Sequence, residues 1–256
     1  MCEMLAVTAK DSFRINELLE TFYSHSVEHK DGWGLAVFRK LSVSMEKEPL
    51  CASSSKYLHQ RLSRDIIAAN AIAHIRKATI GRIEYANCHP FVWDDESGRT
   101  WTLVHNGTIF DGPQLSQFVD KQEGSTDSER ILMYIVRLMN DLYRIKGTAT
   151  FEERFRLLER IVTELAVGNK LNLLFFDGEV LYVHCNCRGT LSVLTAPDKC
   201  IFATVPLTFD AWESVPLCQL LAYKDGELIR SGVKHSHEFI EGSQDMTSLM
   251  SMFAEL

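Results

Sequence analysis

The second residue of the chain is a cysteine, and it heads Met1-Cys2-Glu3-Met4-Leu5-Ala6-Val7, a segment with the apolar character of a buried strand. If the initiator methionine is removed, Cys2 carries a thiol and a free α-amine on one residue. An α-amine titrates near ~7.7–8.0 and a cysteine thiol near ~8.5, so the two can share a proton at neutral pH. A nucleophile needs an adjacent base, and an N-terminal cysteine brings its own.

Five further segments place polar residues and glycines at strand ends, where a core needs neither. His29-Lys30-Asp31-Gly32-Trp33-Gly34 reads as a turn with positive φ or as a site loop. In Ala73-His74-Ile75-Arg76-Lys77-Ala78-Thr79-Ile80-Gly81, Arg76 ends an apolar strand. A buried arginine needs an anion, either a structural carboxylate or a substrate carboxylate in bidentate geometry. Asn87-Cys88-His89-Pro90-Phe91 is first a prolyl turn, with His89 a wall residue rather than a base. Within Leu103–Ile109, Asn106-Gly107 is either a hairpin turn or a pair of N–H donors aimed at one point, the layout of an oxyanion hole. In Gly124-Ser125-Thr126-Asp127-Ser128-Glu129, Asp127 stands in a helix's first turn, favoured there by the dipole and equally able to hold an ammonium. A thiol with its own base, two oxyanion donors, one fixed cation and one fixed anion together describe a zwitterionic amino acid attacked on its side chain. Glutamine fits.

The elements that must position these groups are mostly strands. Apolar runs predict strands over Cys2–Thr8, Gly34–Phe38, Ala69–Arg76, Thr100–His105, Asn172–Phe176, Val180–His184, Leu191–Thr195, Cys200–Val205 and Cys218–Lys224. Asp177-Gly178 and Asp225-Gly226 are hairpin-turn pairs. Helices are expected over Arg14–Ser24, from a Ser125 or Thr126 cap to Gly147, and from a capping box at Thr150–Glu153. Strands, adjacent helices, then hairpin-linked strands imply an α+β fold of mainly antiparallel sheets with helices on the outer faces. From Ser236 the chain reads as a polar tail with a loosely docked helix, in which His235 and His237 are solvated and Met246–Met252 pack.

Composition narrows the class. The apolar fraction of 46%, net charge of −7 and pI near 5.7 fit a globular protein and argue against a nucleic-acid partner. No apolar run reaches the ~20 residues of a membrane span, and no secretory signal is present, so a soluble cytoplasmic protein without a membrane partner is expected. Seven scattered cysteines fit free thiols in a reducing compartment. Cys185-Asn186-Cys187 lacks the second pair of a zinc site, so neither metal nor cofactor is expected.

The MCE start, HKDGWG, AHIRKAT, NCHPF, HNG and TDSE motifs, with the later Ala203–Leu207 and Trp212, occur in this order along nearly the whole chain. In this the chain resembles the class II, N-terminal nucleophile glutamine amidotransferases, in particular small members without a synthase domain. The resemblance implies a four-layer αββα sandwich formed as one domain over residues 1–256, with the catalytic residues in 2–130 and the tail from about 236. It implies Cys2 as nucleophile and Asn106 with the Gly107 N–H as oxyanion hole. Arg76, helped by Thr79, would bind the α-carboxylate, and Asp127 the α-amine. His89 and Gly32, Trp33 and Gly34 would line the site. Lys77 and Ile80 depart from synthase-linked members, which bears on acceptor coupling rather than on cleavage. The expected activity is hydrolysis of glutamine or a γ-glutamyl compound through a Cys2 thioester, with ammonia or amine leaving or passing to a separate acceptor subunit. About thirty residues follow Asp225-Gly226, too few for an acceptor domain, and no phosphate-binding loop occurs, so turnover should need neither ATP nor metal. The alternatives are a catalytically silent regulatory subunit of the same fold, and an oxidation-sensing Cys2 that leaves Arg76, Asn106 and Asp127 unexplained.

Overall fold

The computed structural model describes residues 2–39, 42–78 and 81–242. In chain order the strands are β1 (Glu3–Arg14), β2 (Trp33–Arg39), β3 (Ser42–Glu48), β4 (Ile67–Ile75), β5 (Phe91–Asp94), β6 (Thr100–His105), β7 (Leu173–Phe176), β8 (Leu181–His184), β9 (Ser192–Ala196), β10 (Lys199–Ala203), β11 (Glu213–Ser214), β12 (Leu221–Lys224) and β13 (Glu227–Ser231). The helices are α1 (Asn16–Ser24), α2 (Lys56–Leu62), α3 (Asp127–Lys146) and α4 (Phe151–Leu165). One sheet runs β11-β9-β10-β1-β4-β2-β3 and the other β13-β12-β8-β7-β6-β5.

Strand alternation sorts the apolar side chains into three cores, and so into four layers. From β1, Leu5 and Val7 pack with Leu19 and Phe22 of α1 and Leu58 of α2. Their neighbours Met4 and Ala6 face the other way and meet Val104, Leu174 and Phe176 of the second sheet. On that sheet's outer face, Leu103, Leu173 and Phe175 pack against Ile131, Ile135 and Met139 of α3 and Phe155, Leu158 and Val162 of α4. The result is αββα. Each of these large side chains contributes roughly 1.5–3 kcal/mol by burial.

Local chemistry fixes the helix ends. Thr126 caps α3 by accepting from Glu129 N, and Gly147 ends it at φ 77. Thr150 and Glu153 cap α4 reciprocally. The helix expected from Arg14 starts at Asn16, because β1 runs on to Arg14 and pairs it with Ile67. Asp225 and Gly226 both adopt positive φ (52 and 81), as a two-residue hairpin turn requires. Asp177 differs: it precedes a Gly178-Glu179 turn, and its buried carboxylate accepts from Glu179 N (3.0 Å) and Val180 N (2.8 Å). Among the described residues no helix is long and apolar enough to cross a membrane. The expected tail helix from 243 on, with Met246–Met252, lies outside the described residues. The part of the tail that is described departs from expectation. His235 is not solvated but bonded to buried His184 (Nε2 to Nε2, 3.0 Å), and Asn186 donates to His237 O at 3.0 Å.

Candidate active site

Cys2 stands one residue before β1 and is half-buried. Glu3 pairs with Ile75, so Cys2 lies at the end of β4 where Arg76 follows. The thiol donates to Lys77 O (3.4 Å) and accepts from Lys77 N (3.3 Å). Burial pushes it above the ordinary thiol range, while the Lys77 amide and the Arg76 charge pull it down and Asp127 pushes it up. Both charged residues singled out in the sequence therefore act on this sulfur.

Asn106 continues β6 by one residue and is 2% exposed. Its backbone N–H donates to Asn172 O (3.0 Å), but its side-chain Nδ2 is buried without a partner among the described residues. Leaving such a donor unsatisfied costs ~1–3 kcal/mol, so the group calls for an acceptor. Gly107 is required by close packing, since a Cβ there would lie 2.0 Å from Lys170 O and 2.4 Å from His105 Nε2. Thr108 and Lys170 then bridge through both backbone pairs, at 3.0 and 3.2 Å. Asn106-Gly107 is thus a packed corner between β6 and the start of β7, not a hairpin turn.

Arg76 is 2% exposed and its guanidinium donates to Arg82 O (3.0 Å) and Gly81 O (3.2 Å). Its backbone N–H donates to Gly32 O (2.8 Å) and its carbonyl accepts from Asp31 N (3.0 Å). Asp31 Oδ2 also accepts from Ala78 N (2.7 Å), so the HKDGWG turn braces the chain that leaves β4. Asp127 is the first residue of α3, and its Oδ2 accepts from Ile109 N (2.8 Å). It therefore holds the loop that carries Asn106. Asn87 joins the two charge sites: its Nδ2 donates to Arg82 O (2.9 Å) and its Oδ1 accepts from Ser125 N (2.7 Å). Glu129 fixes the other side of the helix start, accepting from Glu123 N (2.7 Å) and Gly124 N (2.9 Å). Thr79, expected beside the clamp, and Ile80 lie outside the described residues.

The wall expected from Gly32, Trp33, Gly34 and His89 divides by strand alternation. A Cβ on Gly32 would lie 2.7 Å from Cys88 Sγ, and one on Gly34 2.0 Å from His89 O, so the 88–90 turn lies flat on β2. Trp33 points the opposite way. Its indole is fully buried in the core under α1 and α2 and donates to Glu48 Oε2 (3.1 Å), so it does not line the site. His89 is buried and stacks on His74 with ring centroids 4.1 Å apart. Burial pushes His89 well below the usual histidine range and His74 down to about 3, so both rings are held neutral. Lys47 Nζ donates to Cys88 O (2.8 Å) and lies over the Tyr85 ring, pinning the turn.

Asp31, Asn87 and Glu129 have no role in the sequence reading. Their signal is weak, because each acts on backbone groups that only the fold brings near. His105 and Ser128 lie within the HNG and TDSE motifs, and the motifs alone give them no task.

Residues 1–199 match the family described as class-II glutamine amidotransferases. A Haemophilus influenzae protein assigned as a glutamine amidotransferase is 28% identical over 240 residues, covering 83% of this chain and 80% of that one. The Bacillus subtilis amidophosphoribosyltransferase is 26% identical over 150 residues, 51% of this chain but 30% of that protein. Among solved structures, a Pseudomonas aeruginosa protein assigned as a glutamine amidotransferase superposes with TM-score 0.62 at 22% identity, over 90% of this chain and all of that one. The B. subtilis glutamine phosphoribosylpyrophosphate amidotransferase superposes with TM-score 0.66 at 18% identity, this chain spanning 48% of its length. These two likenesses speak for the N-terminal nucleophile fold, and the matched family covers most of the sequence: the chain belongs to the class II glutamine amidotransferases.

Proposed function

We propose that this protein hydrolyses the side-chain amide of glutamine, or of a γ-glutamyl compound, through a γ-glutamyl thioester on Cys2. The single observation that carries the reading is the orphaned Asn106 Nδ2. It sits on a loop bonded to Asp127, whose charge is felt at the Cys2 thiol. Once Met1 is removed, the α-amine of Cys2 takes the thiol proton as sulfur attacks the amide carbon. Asn106 Nδ2 and the Gly107 N–H receive the oxyanion. Collapse expels the amine, which takes the proton back and leaves as ammonia. Water, deprotonated by the same α-amine, then cleaves the thioester to give the free acid and the thiol. Arg76, with Thr79, holds the α-carboxylate, Asp127 the α-amine, and Gly32, Gly34 and His89 form the wall.

Ammonia or amine leaves to solvent or passes to a separate acceptor subunit. No step calls on a cofactor or metal, and a cytoplasmic setting suits seven free thiols. The test is covalent capture with a glutamine analogue carrying a γ-diazoketone. Labelling of Cys2 alone, with loss of activity, is expected. Cys51 is the informative competitor, because the neighbouring Ser53 and Ser26 hydroxyls pull its thiol below the ordinary range. An adduct on Cys51 in place of Cys2 would overturn the reading. A chain inert toward every amide until a partner is added would favour the regulatory alternative.

A further inference from the structure

His105 and Ser128 occupy a position between the two substrate-facing groups, Asp127 and the Asn106-Gly107 corner. His105 ends β6 with its ring on the α3 side and is 2% exposed. Its Nε2 is 3.2 Å from Lys170 O, and a carbonyl only accepts, so Nε2 carries a proton. Its Nδ1 is 3.0 Å from Ser128 Oγ. That same hydroxyl is 3.2 Å from Asp127 Oδ1. Ser128 has one proton and two neighbours able to take it.

The arrangement admits two states. With a neutral ring, Nδ1 is bare and the Ser128 O–H must donate to it, because two lone pairs cannot face each other. The Ser128–Asp127 contact then holds no proton, and Asp127 Oδ1 is open to another donor. With a charged ring, Nδ1–H donates to Ser128 Oγ, and the hydroxyl turns to Asp127 Oδ1. We propose that Ser128 is a one-proton switch through which His105, a positioning residue, opens Asp127 to a substrate amine when neutral and closes it when charged. The amine in question rests on the function proposed above.

The surroundings favour the open state near neutrality. Burial pushes the His105 ring below the ordinary histidine range, opposed by Asp127 on α3 and helped by the Lys170 charge. His74 on β4, His89 in the 88–90 turn and His184 on β8 also feel this ring, and burial keeps all three neutral at that pH. Acidification should therefore weaken binding of an α-amine, an effect on KM separate from the fall in kcat expected as the Cys2 α-amine takes up its own proton. Conversely, an ammonium on Asp127 removes the charge that favours imidazolium and should drive a proton off His105.

Two measurements test this. Nitrogen-15 spectra of histidine-labelled protein, with His105 assigned by its loss in His105→Asn, should show the Nε2–H tautomer at neutral pH. In Ser128→Ala the imidazolium loses its acceptor, so the His105 midpoint should move to lower pH; Ser128→Thr, which keeps the hydroxyl, should restore it. In Cys2→Ala protein, saturating glutamine should also move the midpoint down, and Ser128→Ala should shrink that displacement. In steady state, the glutamine KM of the wild type should climb as pH falls, up to about tenfold per pH unit, the limit for one proton opposing one ligand. In Ser128→Ala and His105→Asn the climb should flatten, with kcat tracking the wild-type profile. An Nδ1–H tautomer, or KM profiles that superimpose for all three proteins, overturns the switch. If the tautomer and the Ser128 dependence hold but glutamine moves nothing, the switch is supported and the choice of glutamine as substrate is what fails.

Discussion

At the end of the six-stranded sheet, Asn169, Asn172 and Asn186 form a closed lattice in which both side-chain polar atoms of every residue are engaged. Asn169 Nδ2 donates to Asp111 O and Leu165 O, and its Oδ1 accepts from Phe110 N and Asp111 N. Asn186 Nδ2 donates to Asn169 O and His237 O while its Oδ1 accepts from Leu171 N. Asn172 donates to Thr190 and accepts from Asn186 N. Asn106 is as deeply buried, its N–H is bonded to Asn172 O, and yet its amide nitrogen has no partner among the described residues. The difference separates two uses of one residue type. A saturated asparagine offsets its own burial; an orphaned donor costs stability that a bound acceptor can return.

That contrast can be broken by exchange experiments. Asn106→Ala should lower kcat by roughly 10²–10³, as loss of one oxyanion donor does, with the melting temperature unchanged or raised. If the melting temperature falls steeply instead, Asn106 belongs with the lattice. Asp127→Ala should show mainly in substrate binding, on the order of 2–5 kcal/mol, because a substrate charge is left unpaired in a buried place. Isothermal titration on a Cys2→Ala background measures it directly. Asn186→Ala should do the reverse of Asn106→Ala, destabilising by ~1–3 kcal/mol through freed buried groups while the kcat of the folded fraction stays near wild type.

The smallest effect concerns pH and the 235–237 segment that Asn186 holds through His237 O. Burial lowers His184 to about 3 and His235 to about 4. Both sit below the unfolded value near ~6.5, so the unfolded chain binds more protons between these limits. Their contribution is complete above the unfolded value and is lost as pH falls toward about 4. Melting temperature measured from neutral pH downward should decline, and less so in His235→Gln. Equal slopes would show that the His184–His235 contact carries no linkage.

Cys2, Arg76, Asn106 and Asp127 are legible in the sequence because each is a polar group or precedes a glycine at the end of an apolar run. The four layers are implied by the family resemblance rather than by periodicity: Met4–Val7 and Leu173–Phe176 are apolar at every position, and only the fold sends neighbouring side chains to different cores. What periodicity does not carry is pairing across distance. Asn87 meets Ser125 across 38 residues, His105 meets Lys170 across 65 and His184 meets His235 across 51. Strand β3 is hidden because an edge strand with polar alternation looks like a loop, and β5 because its first residue, Phe91, falls in the segment that reads as a prolyl turn. Trp33 is misplaced in the sequence reading since its two glycine neighbours mark the loop but not which face the ring takes.

The central strand of the seven-stranded sheet has a consequence for how the protein is made. Leu5 of β1 is flanked on one side by Ala73 and on the other by Ala203. The second partner emerges from the ribosome nearly two hundred residues after the first strand, at common rates roughly 10–40 s later. Until then β1 has an open edge, with its ladder to β10 unmade. Long-range closure of this kind is slow and leaves unpaired strand edges exposed to other chains. Strand β1 is thus made long before its second neighbour and enclosed late, and yield on expression should depend on keeping that edge covered while β10 is completed.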